Sequence, residues 1–231
     1  MIIQNLKEIQ KLLSDHFNST GDPVDEPDMA EFDFEGWDNL VWQSEDYRRA
    51  HLEHIEVKGN DGDIRLGIIH CCIFPHFHSD APIWGFDVVA GQKKITGCFY
   101  DFSPTTDVNH PMVNWFANST GNLSWAKTRV LPEWATNIFS KHIVAAGNVK
   151  EEAECGQIFD MVEEGVSYYI NHVGKYNNAF VYDNYGKDAQ NKYCFWQKQN
   201  PHVTKSLESS LGLSDKQAER FVENCLFPEV K

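Results

Sequence analysis

No apolar run in this sequence approaches the roughly 18 residues that a membrane-spanning helix needs, so no membrane anchor is expected. The N-terminal stretch MIIQNLKEIQKLLSDHF carries charges among its apolar positions and no small-residue cleavage site, which reads against a secretory signal. CxxC pairs are missing: the six cysteines stand at Cys71, Cys72, Cys98, Cys155, Cys194 and Cys225, and a chain of 231 residues can build a core without bridges. Free thiols in a reducing cytoplasm are the expectation, and the sequons starting at Asn18, Asn118 and Asn122 are then chance matches. Positive charge is scarce: 20 Lys and Arg against 34 Asp and Glu give a net charge of −14, which argues against nucleic-acid binding. No GxGxxG, GxxxxGK[ST] or GxSxG pattern occurs, so the familiar nucleotide and hydrolase signals are absent. Nor is there an internal repeat or low-complexity tract, and the whole of 1–231 reads as a single domain.

What is present is patterned. Ile2, Leu6, Ile9, Leu13 and Phe17 form one stripe of an amphipathic helix over 2–17. An acidic, proline-bearing connector, GDPVDEPDMAEFDFEGWD, reads as a solvated loop. From Leu40 to about Phe102 the pattern is that of strands: two runs about the breaker KGNDGD, then two more about GQKK. Short turns between consecutive strands imply an antiparallel sheet. One further strand is expected over 135–144, a helix over 150–173 and another over 186–199. A last helix begins at Ser214 with a capping box completed by Gln217 and closes before Pro228. Strands in the middle and helices at both ends predict an α+β fold, layered about the sheet.

Chemistry concentrates in HCCIFPHFHSDAPIWGFD, residues 70–87. His70, His76 and His78 suggest metal ligation, but Pro75 breaks the strand between the first and the later pair, and no carboxylate stands at a convincing third position. His76 and His78 read as exposed loop histidines. His70, in the apolar strand LGIIHCCIF, faces either the core or a pocket. Asp87 lies in a run with no other charge, where burial would raise its pKa and make it a proton donor; a carboxylate satisfied by backbone N–H groups is the other reading. Arg129, before Val130-Leu131-Pro132, could take a carboxylate in fork geometry or stand as a surface arginine.

Several longer strings carry a resemblance. RRAHLEH (48–54), IIHCCIFP through PIWGFDVVAG to DFSP (68–104), RVLPEW followed by IFS (129–140), YCFWQKQN (193–200) and ERFVENCLFPEV (219–230) resemble the ferredoxin-dependent bilin reductases, and within them the phycocyanobilin:ferredoxin oxidoreductase branch. The resemblance implies a three-layer α/β/α sandwich about a central antiparallel sheet, with the bilin between the sheet and the C-terminal helices. It implies reduction of biliverdin IXα with electrons from a reduced [2Fe-2S] ferredoxin and no bound cofactor, in a cytoplasmic monomer whose partners are ferredoxin and biliverdin. Asp87 takes the place of the family's central proton donor. His70 takes that of its histidine, expected to contact the pyrrole carbonyls and to share a proton with Asp87. Glu53 takes that of its HLE glutamate, Arg129 and Thr96 those of the propionate-binding residues. The hairpin between Glu53 and His70 is about five residues longer than the family's, so Glu56 competes for the glutamate role. Near the C-terminus, where a second aspartate is common, the chain has Gln199-Asn200-Pro201, and Asn200 is expected to occupy or neighbour that site. Asparagine is no acid. That loss and the short N-terminus resemble a phage-type variant making phycoerythrobilin through 15,16-dihydrobiliverdin. The alternatives are reduction to phycocyanobilin, as in the parent branch, or bilin binding without catalysis. Lys93 and Lys94 are candidates for the ferredoxin contact.

Overall fold

The computed structural model describes residues 2–32, 34–177 and 184–230. Helix α1 (Ile2–Thr20) buries the five stripe residues Ile2, Leu6, Ile9, Leu13 and Phe17. Seven strands then form one antiparallel sheet in the order of the sequence: β1 (Asp22–Pro23), β2 (Trp37–Gln43), β3 (Tyr47–Lys58), β4 (Ile64–Pro75), β5 (Ile83–Gly91), β6 (Lys94–Ser103) and β7 (Val144–Val149). Helices follow or interrupt it: α2 (Pro111–Thr120), α3 (Glu152–Val173), α4 (Asn184–Gln197), α5 (Pro201–Leu211) and α6 (Asp215–Phe221), the last continued by a π-turn over Val222–Leu226.

Each strand puts alternate residues on opposite faces. Leu52, Ile69, Cys71, Trp84, Phe86, Val88, Cys98 and Tyr100 meet α1, α2 and α3 in one core. Ile55, Ile68, Cys72, Phe74 and Ile83 meet α4, α5, α6 and the π-turn in a second. The result is a helix–sheet–helix sandwich, as expected. Both hairpins fall where the breakers put them: residues 59–63 join β3 to β4, and Gln92-Lys93 join β5 to β6. The capping box at Ser214 is formed, with Gln217 Oε1 accepting from the Ser214 backbone N–H at 3.1 Å.

Three local expectations need correction. The first strand run is two strands, because the Ser44 hydroxyl accepts from the N–H groups of Asp46 and Tyr47 and turns the chain between β2 and β3. The acidic connector is not all loop: it adds β1 and a 3-10 turn that buries Met29 and Phe32, the latter edge-on to Phe221 at 5.0 Å. The strand expected over 135–144 starts only at Val144, since 133–137 is a 3-10 turn. Helices α2 and α5, over stretches where no element is expected from the sequence, open on Pro111 and Pro201, whose fixed φ suits a first helical position.

Close packing of α3 on the sheet depends on one glycine. A Cβ at Gly165 would overlap the Tyr100 hydroxyl, which accepts from Trp84 Nε1 at 3.1 Å, whereas a Cβ at Gly156 would meet nothing within 4 Å. Gly165→Ala is therefore expected to destabilise the fold by about 1–3 kcal/mol through overpacking. Gly156→Ala should stabilise it by about 0.5–1 kcal/mol through helix propensity. Urea unfolding of both variants checks the pair, and equal effects would show that α3 does not pack on Tyr100 this closely.

Candidate active site

The site is built by strand register. Glu53 on β3 is the register partner of His70 on β4, and His70 is the partner of Asp87 on β5. Directly opposed residues of antiparallel strands share a face, with Cβ atoms about 5 Å apart. The three titratable side chains thus form one row across three strands, on the face opposite the α1–α3 core. The row is continued by Asn39 on β2 and Phe99 on β6. Beside it run two further rows, Ile55–Ile68–Val89–Gly97 and His51–Cys72–Gly85–Asp101.

Over these rows lies a cavity of about 950 Å³, at the upper end of the size range for small-molecule sites. Its floor is the sheet. Its walls and roof come from the 129–143 segment, from Tyr193 and Gln197 of α4, from Asn200 and the start of α5, and from Leu226 and Phe227.

Burial sets the protonation of the row. The Glu53 carboxyl is pushed up to about 8, foremost by desolvation; the Asp87 charge adds to this, and a hydrogen bond from Trp37 Nε1 at 2.9 Å opposes it. Desolvation pushes Asp87 up to about 7. The partial exposure that Asp87 keeps belongs to a residue lining the cavity. His70 is pushed the other way, down to about 4, by burial and then by the Arg49 charge. Arg49 is itself buried, its guanidinium donating to Glu26 at 2.7 and 2.8 Å and to the Cys225 carbonyl at 2.7 Å. Near neutral pH Glu53 is mostly protonated, Asp87 is divided between its two forms and the imidazole is neutral. His70 Nε2 lies 3.5 Å from Cys72 Sγ and Nδ1 has no partner, so neither ring nitrogen is bonded to Asp87. The ring stands edge-on to Phe227 at 5.4 Å.

The two glutamates separate by parity. Glu53 lines the cavity, while Glu56 points to the other face, where its carboxylate meets Lys7 Nζ of α1 at 3.1 Å. Arg129 borders the cavity at its exposed rim. Its side chain lies across Gly147, where a Cβ would stand 2.9 Å from Nε, and its guanidinium donates to the Thr96 carbonyl at 2.7 Å. Thr96 sits at the β5–β6 register shift, its hydroxyl donating to the Val89 carbonyl at 2.9 Å. Asn200 borders the cavity too, and its side-chain oxygen caps α5 by accepting from the His202 N–H at 3.1 Å.

The remaining candidates lie elsewhere. His76 Nε2 is 3.1 Å from the Ser44 carbonyl and its ring stacks on His78 at 5.2 Å; both are half-buried rather than exposed. Among the described residues, no group of three or more His, Cys, Asp and Glu could hold a metal. Lys93 is exposed, and Lys94 Nζ donates to Asn148 Oδ1 at 3.1 Å.

Sequence reasoning missed four lining residues. Asp101 is buried, its carboxylate accepting from the Ser103 hydroxyl at 2.8 Å and from both the N–H and the hydroxyl of Ser140; burial still pushes it up to about 6. Cys72 shares the parity of His70, the signal by which it could have been found. Tyr193 and Gln197 sit one helical turn apart on α4 and reach the floor only through tertiary packing.

Residues 35–228 match the ferredoxin-dependent bilin reductase family. Curated relatives include phycocyanobilin:ferredoxin oxidoreductases from Synechococcus elongatus, 29% identical over 199 residues (82% of this chain, 75% of the relative), and from Synechococcus sp. strain CC9902, 30% identical over 191 residues (82% and 74%). Among solved structures, PcyX superposes with a TM-score of 0.73 at 27% identity, covering 98% of this chain and 99% of that one. Phytochromobilin synthase from tomato, solved in complex with biliverdin, gives a TM-score of 0.75 over 94% of this chain and 82% of its own; at 14% identity the likeness is one of fold.

Ionising Asp87 in the folded protein costs stability. Its folded value of about 7 stands above the ordinary 3.8, so the cost begins as pH rises past the lower value and is complete above the higher. Asp87→Asn removes it. Relative to the parent, the variant should gain roughly 2 kcal/mol between about pH 5 and about pH 8 in urea unfolding. A gain that does not change with pH would mean a solvated carboxylate.

Proposed function

The chain belongs to the ferredoxin-dependent bilin reductases, oxidoreductases that act on bilins, and from that premise we propose that it reduces biliverdin IXα to phycoerythrobilin by way of 15,16-dihydrobiliverdin. The observation that carries this reading is the Glu53–His70–Asp87 row facing a cavity of about 950 Å³, with protons held on carboxyls that burial keeps from ionising.

Reduced ferredoxin is the electron source, one electron at a time, and no cofactor is bound. Each two-electron step then adds two electrons and two protons to the pigment and passes through a bilin radical. The protein's part is to hold the tetrapyrrole flat on the sheet, supply protons in order and keep bulk water from the radical. Asp87 is the direct donor: a carboxyl with its pKa near 7 is both protonated in much of the population and acidic enough to give the proton up. Glu53, protonated at the same pH, is the reserve next along the row. His70, neutral between them, donates a hydrogen bond to the pyrrole carbonyls. Arg129 at the rim takes a propionate, with Thr96 holding its guanidinium in place.

The product assignment is supported by Asn200. It stands at the cavity edge where the parent branch's second acid is expected, and it offers an amide that is already engaged in capping α5. A second reduction that needs an acid there is disfavoured, which supports phycoerythrobilin over phycocyanobilin.

Anaerobic turnover with biliverdin and a reducing ferredoxin system, followed by chromatography of the bilins, tests the reading. Phycoerythrobilin with transient 15,16-dihydrobiliverdin is expected, phycocyanobilin would overturn the product assignment, and a constant binding spectrum would identify a carrier. Asp87→Asn should bind biliverdin nearly as the parent does while product formation falls at least about 100-fold; full turnover by that variant would remove Asp87 from the donor role.

Ferredoxin must dock on a chain of net charge −14, so a local cationic patch is needed. Lys93 and Lys94, in the β5–β6 turn with Arg65 nearby, are next to Thr96 on the cavity rim. Reversing both charges is expected to raise the apparent KM for ferredoxin several-fold with the KM for biliverdin unchanged. An unaltered ferredoxin KM would place the contact elsewhere.

A further inference from the structure

One sulfhydryl in the cavity floor has surroundings that give it a direction. Cys72 stands two residues beyond His70 on the same face of β4, its Sγ 3.5 Å from His70 Nε2 and 3.9 Å from the Tyr193 hydroxyl. That hydroxyl accepts from Gln197 Nε2 at 2.7 Å. Gly85, the register partner of Cys72, keeps the approach open: a Cβ there would stand 3.2 Å from the Tyr193 hydroxyl and 3.9 Å from Sγ. Cys72, Tyr193 and Gln197 are buried.

Donor accounting orients the chain. An amide nitrogen can only donate, so the Tyr193 oxygen receives from Gln197 and its own hydrogen is free for the sulfur. The sulfur, having accepted, has its own hydrogen for His70 Nε2. Burial keeps both links neutral: the Cys72 thiol is pushed up to about 12 and the Tyr193 phenol also rises, so S–H and O–H persist at any working pH. A neutral imidazole that accepts at Nε2 carries its hydrogen on Nδ1. Nδ1 is buried and without a partner.

We propose that Cys72 is a positioning residue: its thiol, oriented by Gln197 through Tyr193, fixes His70 as the Nδ1–H tautomer and so presents the bilin with a hydrogen-bond donor from the ring. The step deepens the proposed function and rests on it for the identity of the ligand, since the acceptor it serves is a pyrrole carbonyl. The thiol itself does no chemistry on the pigment. It decides which ring nitrogen is the donor, and hence whether His70 steadies a carbonyl or repels it.

Two readouts test this. In the full chain without bilin, ¹⁵N-histidine spectra report the tautomer directly, the His70 resonances being identified by their loss in His70→Gln. The parent and Cys72→Ser, which keeps a donor at the site, are expected to show Nδ1–H; Cys72→Val, which keeps the volume and removes the donor, is expected to lose that preference. In turnover, Cys72→Val should lower kcat about ten-fold, the weight of one hydrogen bond, with the KM for biliverdin unchanged, and Cys72→Ser should restore it. A parent with Nε2–H, or a Cys72→Val protein that keeps Nδ1–H and full kcat, overturns the proposal. If the parent reduces biliverdin yet carries Nε2–H, this assignment fails while bilin reduction stands. If it carries Nδ1–H but reduces no bilin, the function falls and the tautomer assignment survives.

Discussion

The pairing register of three adjacent strands is the constraint on which the site depends. Because side chains alternate along a strand, a slip of one residue between β4 and β5 would send Asp87 into the α1–α3 core and bring Phe86 into the cavity. The register is held by that same alternation: Phe86, Val88 and Trp84 must be buried on one side, and their burial forces Asp87 and Gly85 to the other. Hydrophobic burial on one face therefore positions acids on the opposite face. No dedicated hydrogen bond is needed to aim Asp87.

The electrostatics follow from the same placement. A floor made of sheet and a roof of mixed polar and apolar groups enclose the row, and desolvation is the largest influence on Glu53, His70 and Asp87 alike. It raises both acids and lowers the base. Near pH 7 His70 is neutral, Glu53 is mostly neutral and Asp87 is poised at its midpoint, a suitable state for receiving an apolar, extended ligand while still holding transferable protons. Arg49, on the same face of β3 and fixed by Glu26 and the Cys225 carbonyl, reinforces this by disfavouring a charged imidazole.

The sequence made the strands, their hairpins and the long helices legible, because period-2 runs flanked by KGNDGD and GQKK and the 3.6-period stripes of α1 and α3 are strong signals. It also brought out Asp87, whose charge is isolated among apolar residues, and an α+β order layered about the sheet, the three-layer arrangement being what the family resemblance implied. Less legible were features that depend on contacts distant in sequence. Met29 and Phe32 are buried where β2, α6 and the π-turn close over an acidic segment. The choice between Glu53 and Glu56 needed the parity of β3 relative to the cavity. Cys72 and Asp101 are unremarkable in a strand until the opposite wall, with Tyr193 and Ser140, is known.

The floor and roof of the cavity come from different parts of the chain. The floor is one uninterrupted meander from Glu53 to Asp101, whereas the roof is assembled from 129–143 and from 193–227. The two can therefore diverge at different rates. Substitutions overhead can reshape the cavity without touching the register of the acid-bearing floor. A lineage can thus change its pigment by editing loops and helices while inheriting the acid-bearing sheet intact.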